Sequence, residues 1–155
     1  MLLDATDPFA DVQRGASATD ARHRVTISGL WSPGAGFMLS SVFRYRSALP
    51  YNVVAGVDLN RDGVNYDLPP DVVSLNSGRG AAFSQLDLRL SKGFSLAGHG
   101  RAEIQVEGFN VFNARNPGGF VGNRRSAVHG QPTIYAGDFK AGEQRIAQFG
   151  LRLEF

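Results

Sequence analysis

The sequence contains no cysteine. Disulfide scaffolds, thiol nucleophiles and cysteine-based zinc sites are therefore excluded. No run approaches the ~18 apolar residues of a membrane-spanning helix, and no segment keeps a helical period over about ten residues. Charge of one sign is also scarce. Sixteen Lys and Arg stand against 14 Asp and Glu, a formal net charge of +2 over 155 residues. The longest basic run is Arg124-Arg125, so a nucleic-acid surface is not indicated. The three histidines, His23, His99 and His129, lack the spacing of a metal triad. Nucleophile elbows, phosphate loops and zinc-protease helices are missing too, and the chain does not read as an enzyme. Met1-Leu2-Leu3 is followed at once by Asp4, so no signal peptide is legible. The expectation is either a soluble protein or a chain whose beginning lies elsewhere.

What is present is alternation. In residues 145–155, Ala147, Phe149, Leu151, Leu153 and Phe155 share one parity, and Gln148, Gly150, Arg152 and Glu154 share the other. Successive strand side chains point to opposite faces, so this is a strand with one apolar and one polar side. Its length suits a tilted strand crossing a bilayer, and a terminal aromatic suits a membrane boundary. Four further strands are predicted at residues 22–31, 36–47, 82–91 and 101–111. Short connections at 32–35 and 92–100 alternate with long ones at 48–81 and 112–142, as in outer-membrane barrels with short periplasmic turns and long outer loops. Within the strands, Arg24, Arg44, Arg46, Asp87, Arg89, Glu103, Glu107, Arg152 and Glu154 all take the polar parity. A cation facing mid-bilayer lipid costs about 2–4 kcal/mol. Trp31, Phe37, Phe94 and Phe155 are expected in an inner interfacial girdle, and Tyr45, Tyr51 and Phe83 in an outer one. A soluble antiparallel sandwich also alternates polar and apolar residues and is the competing fold.

The order of several motifs resembles the C-terminal end of TonB-dependent outer-membrane receptors, in the branch carrying an N-terminal carboxypeptidase-regulatory-like domain. The segments are Arg14-Gly15 with Asp20 to Val25; Asp58-Leu59-Asn60-Arg61-Asp62-Gly63; Asn76-Ser77-Gly78-Arg79-Gly80; Glu107-Gly108-Phe109-Asn110-Val111-Phe112-Asn113; and Gln148 to Phe155. The last is similar to the signal such barrels present to their assembly machinery, with Gln148, Gly150, Leu153 and Phe155 in the defining places. The resemblance implies an all-β fold: about five C-terminal strands of a larger antiparallel up-and-down transmembrane β-barrel. Residues 1–21 are then the remnant of an extracellular loop, and 22–155 are one partial domain. It implies residence in the bacterial outer membrane and contact with its lipid. It also implies partnership with the TonB complex through regions outside this sequence, and uptake of a scarce small molecule of siderophore or glycan class. Family barrels have about 22 strands around a plugged lumen, so the chain is expected to be a fragment. A structural or adhesive barrel without transport, and a soluble calcium-binding β-module, are the alternative functions.

The sharpest local motif is Asp58-x-Asn60-x-Asp62-Gly63-x-Asn65-x-Asp67. Oxygen side chains at alternate positions, with glycine at the sixth, resemble the first half of an EF-hand loop. Asp58, Asn60, Asp62 and Asp67 are the candidate Ca²⁺ ligands, with Asp71 as a late one. The twelfth position is Pro69 rather than a bidentate glutamate. Glu103 and Glu107 share a strand face but stand about 13 Å apart, too far for a glycosidase pair. Pairing with Arg89 and Arg152 is their expected use.

Overall fold

The computed structural model describes Phe9, residues 11–136 and residues 145–155. The fold is all-β. Its main element is one antiparallel five-stranded sheet built from β1 (Arg24–Gly34), β2 (Phe37–Arg46), β5 (Phe83–Ser95), β6 (Arg101–Phe109) and β9 (Ile146–Glu154), in the order β1-β2-β5-β6-β9. Two short pairs lie outside it: β3 (Pro50–Tyr51) with β4 (Gly78–Arg79), and β7 (Pro117–Phe120) with β8 (Pro132–Tyr135). A 3-10 turn at Asp11–Gln13 is the one helical element among the described residues, and none is long and apolar enough to cross a membrane. The sheet is open, with β1 and β9 at its edges.

Register carries the alternation of each strand across the whole sheet, because residues paired between antiparallel neighbours share a face. Trp31, Leu39, Leu90, Val106 and Phe149 form one row. Phe37, Lys92, Ile104 and Leu151 form the next. The other face carries Ser40, Arg89, Glu107 and Gln148 in one row, and Ser91, Gln105 and Gly150 in another. Both short turns, β1–β2 and β5–β6, fall at one end of the sheet, and the long connections fall at the other.

Burial is inverted relative to a soluble sheet. On the apolar face of the inner strands Leu90 is 46% exposed, Ile104 49% and Val106 39%, while the edge strands β1 and β9 are exposed almost throughout on both faces. On the polar face Gln85 and Ser91 are buried. Among the described residues the buried hydrophobic side chains are Val53, Val54 and Ala102. A sandwich of this length would bury about two-thirds of its unfolded surface around an apolar core. Here no second sheet covers the apolar face, so the sandwich expectation is not met among the described residues.

The long connections form a lobe at the loop end. Val54 donates its amide to Gly122 O (3.0 Å) and accepts from Arg124 N (3.0 Å), which ties the two loops together. Tyr51 and Phe120 stack with ring centroids 5.4 Å apart. Glycines seat both rings: a Cβ on Gly78 would lie 2.7 Å from Tyr51, and one on Gly80 would lie 2.4 Å from Phe120. Arg79, between them, forms an ion pair with Asp20 (3.5 Å). Asparagines close the strands. Asn110, Asn113 and Asn116 all have positive φ, a conformation that asparagine tolerates better than other side chains. The Asn116 amide exchanges two hydrogen bonds with the Ser84 backbone, at 2.8 and 2.9 Å. Asn110 is fully buried and exchanges two with Ala114, both 2.9 Å.

Several expectations need correction. The first strand starts at Arg24 and runs through the predicted turn to Gly34. The fourth stops at Phe109, because Asn110 turns the chain. The connections at 48–81 and 112–142 contain β3, β4, β7 and β8 rather than plain loop, and residues 137–142 lie outside the described ones. The third strand extends to Ser95, which places Lys92 on the apolar face as an exception to charge avoidance. Tyr51 belongs to the loop lobe, and Phe83 pairs with Arg46 on the polar face. Neither joins an outer girdle.

Replacing Asn110 with alanine removes both side-chain hydrogen bonds to the half-buried Ala114 backbone, which should cost about 1–3 kcal/mol. The denaturation midpoint of Asn110→Ala should fall accordingly, while that of the exposed-site variant His129→Ala should stay within error of the parent.

Candidate functional site

The two faces of the sheet differ in chemistry. The polar face is a connected charge lattice. Arg44 Nη2 donates to Asp87 Oδ2 at 2.6 Å. Asp87 Oδ1 accepts from Gln85 Nε2 (2.9 Å) and from the Asn110 amide (3.0 Å). This carboxylate therefore joins β2, β5 and the end of β6. Arg89 sits between two glutamates of β6, with Glu103 and Glu107 each 3.8 Å from its guanidinium. Arg89 also donates to Gln105 Oε1. Both carboxylates share one cation, so the expected pairing with Arg89 is present. Arg152 departs from expectation. It lies opposite Glu103 in register, but its ion pair is with Glu154 at 2.6 Å. Half-exposed pairs contribute about 0–1 kcal/mol each. Their main effect is to hold the polar face in a fixed charge pattern.

Gly150 is part of this lattice. A Cβ there would lie 2.3 Å from Gln105 Nε2, so the Gln105 side chain lies across the glycine. Gln148 stands opposite Glu107, Leu153 stands opposite Ala102, and Phe155 follows β9 at 94% exposure. The four C-terminal positions thus divide, with Gln148 and Gly150 on the polar face and Leu153 on the apolar one. Trp31, Phe37, Tyr45 and Phe94 are all exposed on the apolar face. Lys92 lies between two of them at the turn end, with Nζ 3.7 Å from the Phe37 centroid and 5.7 Å from that of Phe94. An ammonium over aromatic faces on an apolar surface is a snorkelling arrangement.

The Asp58–Asp67 segment closes on itself. Asp58 accepts the amides of Asp62 (3.1 Å) and Gly63 (2.9 Å), and Asp62 accepts that of Val64 (2.8 Å). Asn60 Oδ1 accepts the Asp62 amide at 3.0 Å. Asp67 is buried, and its Oδ2 takes the amides of Leu59 (2.5 Å) and Asn60 (3.1 Å). The oxygens proposed as ligands are thus engaged with backbone N–H groups. Among the described residues no three His, Cys, Asp or Glu side chains gather as a metal-holding group. Asp71 lies apart, bound by Arg124 at 2.6 and 2.8 Å. The Arg124 guanidinium holds the Asp71 carboxyl below its ordinary range, and Asp71 raises Arg124 in return.

Sequence reasoning missed the roles of Lys92, Asn110, Asn116 and the Tyr51–Phe120 stack. Two signals were available: asparagine recurring every third residue at 110, 113 and 116, and glycine alternating at 78 and 80. Comparison with protein-family models, curated proteins and solved structures returns no match for this chain.

The loop geometry makes a direct prediction. Asp67→Ala frees two amides and should open residues 58–67 to limited proteolysis equally with and without millimolar Ca²⁺. Protection of the parent that appears only when Ca²⁺ is added would instead assign the loop to metal binding.

Proposed function

We propose that this chain is the C-terminal barrel segment of a TonB-dependent outer-membrane receptor that takes up a scarce nutrient. One observation carries the membrane part of the reading. A contiguous apolar face spans all five strands and is left exposed, while the opposite face holds buried polar groups and ion pairs. Exposed apolar patches of more than a few hundred Å² on water-soluble monomers are rare. In a bilayer the same face meets hydrocarbon and the charged face meets an aqueous lumen. Strands of 9 to 13 residues match the span of a tilted strand. Turns at one end and packed loops at the other support the up-and-down arrangement. Trp31, Phe37 and Phe94 support an interfacial belt, and Lys92 supports it as a snorkelling cation.

The open edges set the scale of the assembly. Unpaired backbone groups in lipid cost several kcal/mol each. Further strands of the same barrel would pair with β1 and β9 in this reading. The transport part rests on the sequence resemblance. The ordered motifs around Asp58, Gly78 and Asn110 and the closing strand support it, and the siderophore or glycan class of substrate comes with it.

The two faces of β9 supply the test. In the assembled receptor, Phe149→Arg places a cation against lipid at a cost of about 2–4 kcal/mol, whereas Gln148→Arg adds one to a polar face. Blots of outer-membrane fractions should show Phe149→Arg reduced at least tenfold and Gln148→Arg near the parent level. Equal levels for the two would contradict the reading.

A further inference from the structure

A cavity of about 170 Å³ lies where the polar face of the sheet meets the loop lobe. Arg46, at the end of β2, forms one side. Pro50 and Tyr51 of β3 and Gly118, Gly119 and Phe120 of β7 form the rest that matters here. The Tyr51–Phe120 stack gives it an aromatic wall, held in place because Gly78 and Gly80 leave room for the rings. Gly118 and Gly119 leave the neighbouring wall free of side chains.

Arg44, Arg89 and Arg152 all face carboxylates. Arg46 forms no ion pair among the described residues, and its Nε, like that of Arg89, is buried without a hydrogen-bond partner. Its guanidinium rests 5.7 Å from the centroid of Phe83, which covers one face and leaves the in-plane edge for an acceptor. Directly opposite in register is Arg24, also without an ion pair, whose Nη2 donates to Thr19 O at 3.0 Å. Like charges directly opposite one another on neighbouring strands destabilise a sheet. The nearby acidic residue Asp20 is engaged by Arg79. The loop end of β1 and β2 therefore holds two cations that lack a counter-ion among the described residues, one of them lining a cavity with an aromatic wall.

We propose that this cavity binds a small single-ring carboxylate. The carboxylate lies against the edge of Arg46, and the ring packs against the Tyr51–Phe120 wall. The size of the cavity limits the ligand. A cavity of about 150 Å³ takes one benzene ring, so this one takes a ring with a carboxylate and little more. Arginine is the suited partner because its planar fork matches a carboxylate with two parallel hydrogen bonds. A bound carboxylate also offsets the Arg24–Arg46 repulsion. The site stands on the loop lobe and the end of β2, and does not depend on what covers the apolar face.

Benzoate and its neutral analogue benzamide are the probes, titrated against the folded full chain by saturation-transfer NMR. Benzoate should bind in the millimolar class that a ligand of this size reaches, with benzamide at least tenfold weaker. Arg46→Gln should lower benzoate affinity at least tenfold, Arg46→Lys should retain part of it, and Arg24→Gln should lower it about threefold. Equal affinities for benzoate and benzamide on the parent chain would overturn the proposal without recourse to any variant. An unchanged benzoate titration in folded Arg46→Gln, or no benzoate binding up to about 20 mM, would overturn it as well. Loss of lipid association with benzoate binding intact would count against the membrane reading alone.

Discussion

An apolar sheet face must be covered by something, and in this chain the described residues do not cover it. The rest of the structure follows from that constraint. Five strands are locked in register, so their alternating side chains add up to two continuous surfaces. A slip of one residue in any strand would move its apolar set to the charged side. The ion pairs of the other surface oppose such a slip, because Arg44, Arg89 and their carboxylates meet only in the observed register. The hydrophobic effect does not hold this sheet together from within. Backbone pairing and cross-strand side-chain contacts do that.

The loop lobe is built on a different principle. Its apolar core is small, with Val53 and Val54 as its buried hydrophobic residues. Order comes from side chains that satisfy backbone groups. Asn110 closes the turn that follows β6 onto the Ala114 backbone, and Asn116 pairs with the Ser84 backbone at the start of β5. Asp58 and Asp67 organise the 58–67 segment in the same manner. The lobe is thus fixed by polar contacts, and the sheet by strand pairing. A cavity remains at the join, between Arg46 and the Tyr51–Phe120 stack.

Much of this architecture was legible in the sequence, because period-two alternation maps directly onto sheet faces. The closing strand and the faces of Leu86, Leu88, Ile104 and Val106 follow from it alone. Two kinds of feature did not. Asparagine and aspartate acting on backbone amides leave no hydrophobic pattern, so β3, β4, β7 and β8 were invisible within long polar stretches. Strand ends are set by such contacts too, which is why the Ser95 end of β5, and with it the placement of Lys92, was missed. The Asp58–Asp67 motif was visible as a set of hard oxygens. Its geometry, with those oxygens turned onto amides, depends on backbone course that spacing does not reveal.

The central claim is that the apolar face meets lipid, and the lack of native cysteine makes it directly measurable. Single cysteines at Ile104, Gln105, Val106 and Glu107 along β6 would each carry one environment-sensitive fluorophore in the protein reconstituted with lipid. The account predicts a period of two, with Ile104 and Val106 quenched by lipid-borne nitroxide, and Gln105 and Glu107 quenched by aqueous iodide. Aqueous quenching at all four positions, or lipid quenching without alternation, would contradict it.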